Sequence, residues 1–168
     1  MSGHRYEART SWTGSTGLGW ERYDRAHDAV APPAEQRLRL TTGEPQGDPR
    51  MLNPEQLVVM AASSCQLLWF LHLAAKARID VVEYEDRASG EMPEDFRLGA
   101  ARPPNERFAG GRPPANRITR IELRPRIVVR GEASDERVRR LCEVAHTHCY
   151  IANSLRSEIA VEPAIERA

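Results

Sequence analysis

The chain has 168 residues, 40% of them hydrophobic, and its 24 basic side chains balance 24 acidic ones for a formal net charge of zero. That length and apolar content suit one domain, 1–168, with a real core, and exclude a disulfide-stapled miniprotein or a disordered tail. Neither sign of charge is gathered into a block, which argues against nucleic acid or an anionic membrane and leaves small molecules or protein as the expected partners.

In chain order, residues 6–12, 19–27 and 36–42 read as short strands parted by Gly, Ser and Pro clusters, with a first turn at Gly14-Ser15-Thr16-Gly17 and an antiparallel meander as the simplest arrangement. A long helix is predicted over 54–78. Asn53 can cap its first turn, and Pro54 suits the first helical position because its missing N–H would have had no intrahelical partner. Residues 57–75 carry no charge and approach a membrane-spanning length. Ser63, Ser64, Gln66 and His72 make the segment only moderately apolar, so the better reading is a helix buried nearly all round, in the middle of a domain or dimer, with His72 a core histidine. Residues 79–91 leave the helix as another strand. Residues 92–116, rich in proline and glycine, are expected to form an irregular surface loop.

Over 118–129 the alternation of Ile121, Leu123, Pro125, Ile127 and Val129 gives a strand one apolar face, with Pro125 marking a bulge or an edge. Ser134 then caps a second helix with Asp135 and Glu136 in its first turn, and Val138, Leu141, Cys142, Ala145 and Cys149 recur at helical spacing along a buried face. A short helical turn over 152–157 and a last strand over 159–161 close the chain. Strands and helices are segregated, which makes the class α+β.

Cys65, Cys142 and Cys149 make an odd count at wide spacing, and the N-terminus lacks a basic-then-apolar leader, so a cytoplasmic location is expected. A cysteine about three turns into an apolar helix, with a second far downstream, points to thiol redox chemistry, although cysteine is also a frequent core residue. A rival reading takes Cys142, His146 and Cys149, at i, i+4 and i+7, as metal ligands with Cys65 or His72 completing a zinc tetrahedron. Three ligands on one straight helix span about 10 Å, which is long for a single ion.

Asn53-Pro54-Glu55-Gln56-Leu57 leading to Cys65 in mid-helix, Cys149 late in a second helix, and Ala152-Asn153-Ser154-Leu155 after it resemble the OsmC/Ohr family of thiol-dependent peroxidases over nearly the whole chain. Tyr150 departs from the proline that peroxidase members carry after the second cysteine. The resemblance implies antiparallel sheets around two long central helices in an intertwined homodimer with sites at the interface. It also implies a peroxidase in which Cys65 attacks an organic hydroperoxide and Cys149 resolves the sulfenic acid. No cofactor is implied beyond a dithiol reductant as co-substrate. A catalytically silent member binding an apolar ligand is the alternative.

A thiol attacks as its thiolate, and at an ordinary pKa of about 8.5 little of it is ionised at neutral pH. A nearby cation is therefore needed. The helix N-terminus is too far from Cys65, since its field fades within a turn, so an arginine from another segment is the natural activator. The family places it in the N-terminal strand region, where Arg22 and Arg25 are the candidates and Arg25 is preferred, with Glu55 implied to hold it. Glu55 precedes Cys65 by ten residues, about 15 Å along a straight helix, so either the arginine moves or two subunits share the site.

Overall fold

The structure is a computed structural model and describes residues 3–93 and 117–168. The chain divides into two compact units, Met1–Leu57 and Val58–Ala168. Most of the loop expected over 92–116 lies outside the described residues.

In the first unit, β1 (Arg9–Ser11), β2 (His27–Val30) and β3 (Arg37–Leu40) form the expected antiparallel meander, registered Arg9 to Val30 and His27 to Leu40. The strand expected over 19–27 is a correction: only His27 belongs to a strand. Ser15 caps a 3-10 turn over Thr16–Leu18, with the Gly17 N–H donating to its Oγ at 3.1 Å. Gly19 then turns the chain at φ +83°, and its carbonyl accepts from the N–H groups of Arg22 and Tyr23 at 3.1 and 3.2 Å. The segment satisfies its backbone locally, so it has no ladder to join.

The long helix, α1 (Pro54–Lys76), begins where the sequence places it. Asn53 Oδ1 accepts the Gln56 N–H at 2.8 Å and Gln56 Oε1 accepts the Asn53 N–H at 3.0 Å, a reciprocal capping box. The helix ends two residues short of expectation. Arg78 takes the left-handed conformation at φ 57°, and the Ile79 N–H donates to the Ala74 carbonyl at 2.9 Å, which closes the last turn as a Schellman motif.

Burial of α1 within a single chain is confined to one face. Within one chain only the stripe Ala62, Gln66, Phe70, Ala74 is buried, at the four-residue spacing of one helical face. Met60 and Leu68 stay 52% and 64% exposed, and His72 is exposed rather than a core residue. By length and composition the helix could cross a bilayer. Its stripe nevertheless packs as a core helix does, Phe70 and Ala74 clustering with Ile127, Val129, Val138, Cys142 and Ala145.

The second unit continues through β4 (Asp80–Asp86), β5 (Ser89–Glu91), β6 (Arg120–Leu123), β7 (Pro125–Arg130), α2 (Asp135–His148), α3 (Tyr150–Ser154), β8 (Glu158–Val161) and β9 (Ala164–Arg167). Two sheets result, ordered β4-β7-β9 and β5-β6-β8. The pairs β4–β7 and β5–β6 run antiparallel, whereas β6–β8 and β7–β9 run parallel. Arg124 separates β6 from β7, its N–H diverted to Asp86 Oδ1 at 2.7 Å. Pro125 is therefore the first residue of a central strand, not of an edge, a position where its missing donor is tolerated. Ser134 caps α2 as expected, its Oγ accepting the Arg137 N–H at 3.2 Å. The architecture is α+β.

Candidate active site

Cys65, Cys142 and Cys149 are all free thiols. Cys65 is half-buried on α1, while Cys149 is 1% exposed at the break between α2 and α3. There Cys149 is the last cap of one helix and the first of the next. Its own N–H donates to the His146 carbonyl at 3.1 Å, and the Ala152 N–H donates to its Sγ at 3.4 Å. Its thiol is near enough to that of Cys65 for the two to interact electrostatically, although among the described residues no hydrogen bond joins them. Burial pushes the Cys149 thiol up to about 11; the N–H groups of Ala152 and Ile151 oppose that rise and the Cys65 thiol adds to it.

Trp69, one turn after Cys65 on α1, touches both sequence neighbours of Cys149. Its ring stacks on His148 with centroids 5.2 Å apart and meets the Tyr150 ring at 5.6 Å. The His72 ring stands edge-on to it at 5.7 Å.

Cys142 is a core residue, as its helical spacing suggests. It is buried among Phe70, Val138 and Ala145, and that burial, with Glu143 nearby, pushes its thiol up to about 12. The Gln66 Nε2 donates to its carbonyl at 3.0 Å. Among the described residues no three His, Cys, Asp or Glu side chains converge as metal ligands, so Cys142, His146 and Cys149 are not drawn together as the zinc reading requires.

Arg25 and Glu55 line one cavity in the first unit, of about 400 Å³, with Trp12, Tyr23, His27 and Thr41. The Arg25 guanidinium donates to the carbonyls of Tyr23, at 3.1 Å, and Trp20. It also lies over the Tyr23 ring at 4.1 Å and the Trp20 ring at 5.5 Å, so it is held by carbonyls and π-faces. Among the described residues no ion pair joins it to Glu55. Arg22 is exposed, turned back with its Nε donating to the Leu18 carbonyl at 3.3 Å, and it is not among the residues lining the cavity.

The aromatic grip on Arg25 and the Trp69 contacts were not anticipated from sequence. For Arg25 the signal was present, because Trp20 and Tyr23 stand within five residues of it. The contacts of Trp69 with His148 and Tyr150 are long-range.

The sequence model of the OsmC-like proteins matches residues 47–164. The chain belongs to the OsmC-like family. An OsmC-like protein of unknown function from Vibrio cholerae is 25% identical, with a TM-score of 0.76 over 96% of this chain and 99% of that one. An organic hydroperoxide resistance protein from Elizabethkingia anophelis, 15% identical, superposes with a TM-score of 0.63 over 99% of both chains. One from Legionella pneumophila, 16% identical, does so with a TM-score of 0.57 over 97% of both. At such identities the last two speak for a shared OsmC-like fold. The comparison with curated proteins finds no match.

Proposed function

We propose that this OsmC-like protein is a thiol peroxidase that reduces organic hydroperoxides through a Cys65–Cys149 disulfide. The observation that supports the reading is that the two thiols, one half-buried on α1 and one buried at the α2–α3 junction, lie near enough to interact. The Cys65 thiolate attacks the distal oxygen of ROOH, the O–O bond breaks, and a proton taken up by the leaving alkoxide gives ROH and Cys65–SOH. The Cys149 thiol then condenses with Cys65–SOH, releasing water and leaving the disulfide. A dithiol co-substrate returns both thiols and is itself oxidised, so no bound cofactor is required.

Arg25 is assigned to thiolate activation and Glu55 to holding it. Their place on one cavity wall supports the pairing of Arg25 with Glu55, and Arg22, exposed and outside that wall, is the weaker candidate. A homodimer is part of the reading: Met60, Leu68 and Leu71 leave an apolar face on α1 that a second copy would cover. Its place is the cytoplasm, where a dithiol pool is available, with neither nucleic acid nor membrane as partner.

The test is steady-state reduction of cumene hydroperoxide with dithiothreitol as reductant, set against hydrogen peroxide. Turnover that favours the organic peroxide and disappears in Cys65→Ser supports the proposal. Equal, slow reaction in wild type and Cys65→Ser would overturn it.

A further inference from the structure

Cys149 sits where two helices break apart, at φ −65° and ψ 111°, outside the regular hydrogen-bond ladder of either. Capping bonds order the backbone of the junction, the Asn153 N–H donating to the Cys149 carbonyl and the Asn153 Nδ2 to the Thr147 carbonyl, both at 3.0 Å, and beyond it Ile151 and Leu155 pack against the cluster of Ala62, Ile121 and Leu123. Neither of these hydrogen bonds joins the junction to α1. A disulfide needs the two Cβ atoms within about 4.5 Å, so the contacts that hold the junction against the Cys65 face of α1 bear on whether the sulfurs meet.

Trp69 adds a connection that reaches both sequence neighbours of Cys149. It lies four residues after Cys65, hence on the same face of α1, with its side chain leaning back over the turn that carries Cys65. Its partners His148 and Tyr150 are the residues on either side of Cys149, one stacked at 27° between ring planes and one tilted at 65°. Tyr150 remains 71% exposed, so this contact buries little surface and is poorly explained as core packing.

We infer that Trp69, gripped by His148 and Tyr150, is a positioning clasp that holds the Cys149 thiol against Cys65 and sets how readily the two sulfurs join. The clasp acts by position, and it rests on the reading that Cys65 and Cys149 form a disulfide. Aromatic pairs of this geometry contribute enough to change a closing equilibrium by about two- to tenfold.

The experiment equilibrates the full chain in glutathione buffers, where the protein disulfide and two glutathione thiols exchange with the protein dithiol and one glutathione disulfide, and reads the ratio by alkylation and mass. Wild type, Trp69→Leu, Tyr150→Ala and Tyr150→Phe are compared. In Tyr150→Ala the effective concentration of the Cys65/Cys149 pair should fall about two- to tenfold, while Tyr150→Phe, which keeps the ring, stays within about twofold of wild type. Trapping with dimedone after one equivalent of cumene hydroperoxide should show a longer-lived sulfenic acid in Tyr150→Ala with Cys65 oxidised at its usual rate, a split that general destabilisation does not produce.

Tyr150 is exposed, so Tyr150→Ala keeps the test open even where Trp69→Leu folds poorly. Wild-type equilibria in both Tyr150→Ala and a folded Trp69→Leu would overturn the clasp. A wild-type chain that forms the disulfide in glutathione yet ignores hydroperoxide would sink the peroxidase reading and leave the clasp standing, whereas no disulfide in any buffer would overturn both.

Discussion

Gln66 offers the sharpest test of how α1 is fastened beside Cys65. It is 1% exposed; its Nε2 donates to the Cys142 carbonyl at 3.0 Å, but its Oε1 has no partner among the described residues. That carbonyl lies inside α2 and also accepts the helical N–H four residues on, so removing the amide orphans nothing. Gln66→Leu keeps similar volume, forfeits a hydrogen bond of about 1 kcal/mol and removes an unpaired buried oxygen costing about 1–3 kcal/mol. The net is a protein about 1 kcal/mol more stable, which moves a urea midpoint up by about 0.5 M at an m-value near 2 kcal/mol/M. Gln66→Glu, by contrast, sets a carboxylate against the carbonyl lone pairs and should cost on the order of 3 kcal/mol at neutral pH. Urea unfolding followed by circular dichroism decides. A Gln66→Leu midpoint lowered by more than about 1 M would refute the reasoning, because it would mean that Oε1 is well bonded.

Arg78→Gly should stabilise the chain by about 1 kcal/mol in the same assay, since a non-glycine side chain at φ 57° is strained in the closing turn of α1. Arg25→Met should slow oxidation of Cys65 by cumene hydroperoxide at least about tenfold, while Arg22→Met stays within about twofold; the reverse order would exchange the two assignments. Burial raises the Cys149 thiol from 9.0 to about 11. The thiolate is therefore the disfavoured form in the folded chain, and the stability linked to the neutral thiol is complete below about pH 9 and is lost as pH rises through about 11. Disulfide formation after peroxide should correspondingly quicken with pH up to that value; stopped-flow from pH 7 to pH 10 checks it, and a flat profile contradicts the assignment of Cys149 as the attacking thiol of this step.

Helix starts were legible because local chemistry decides them: Asn53-Pro54 and Ser134 cap α1 and α2 as their sequences require. The end of α1 was not, because an arginine occupies the left-handed position where glycine is the usual signal. Residues 19–26 misled because they lie between Gly, Ser and Pro clusters as a strand would, while Ser15 caps a 3-10 turn and the Gly19 carbonyl takes the N–H groups of Arg22 and Tyr23. β9 carries a single large apolar residue, Ile165, too little for a period-two pattern, and its pairing with β7 is long-range. The helical placement of Cys65 and the burial of Cys149 were legible in the spacing along their helices, whereas Arg25 entered through the family resemblance alone and its role belongs to the proposal. The contacts of Trp69 were not legible, because α1 meets His148 and Tyr150 only after the chain has passed through two sheets.

The Cys65–Cys149 cycle can be read most directly from intact mass and free-thiol count before and after one equivalent of cumene hydroperoxide, on wild type, Cys65→Ser and Cys149→Ser. Wild type should lose two thiols, Cys149→Ser alone should give a trappable sulfenic acid, and Cys142, the buried third thiol, should take no part. Three unchanged thiols in the wild-type chain would contradict the cycle.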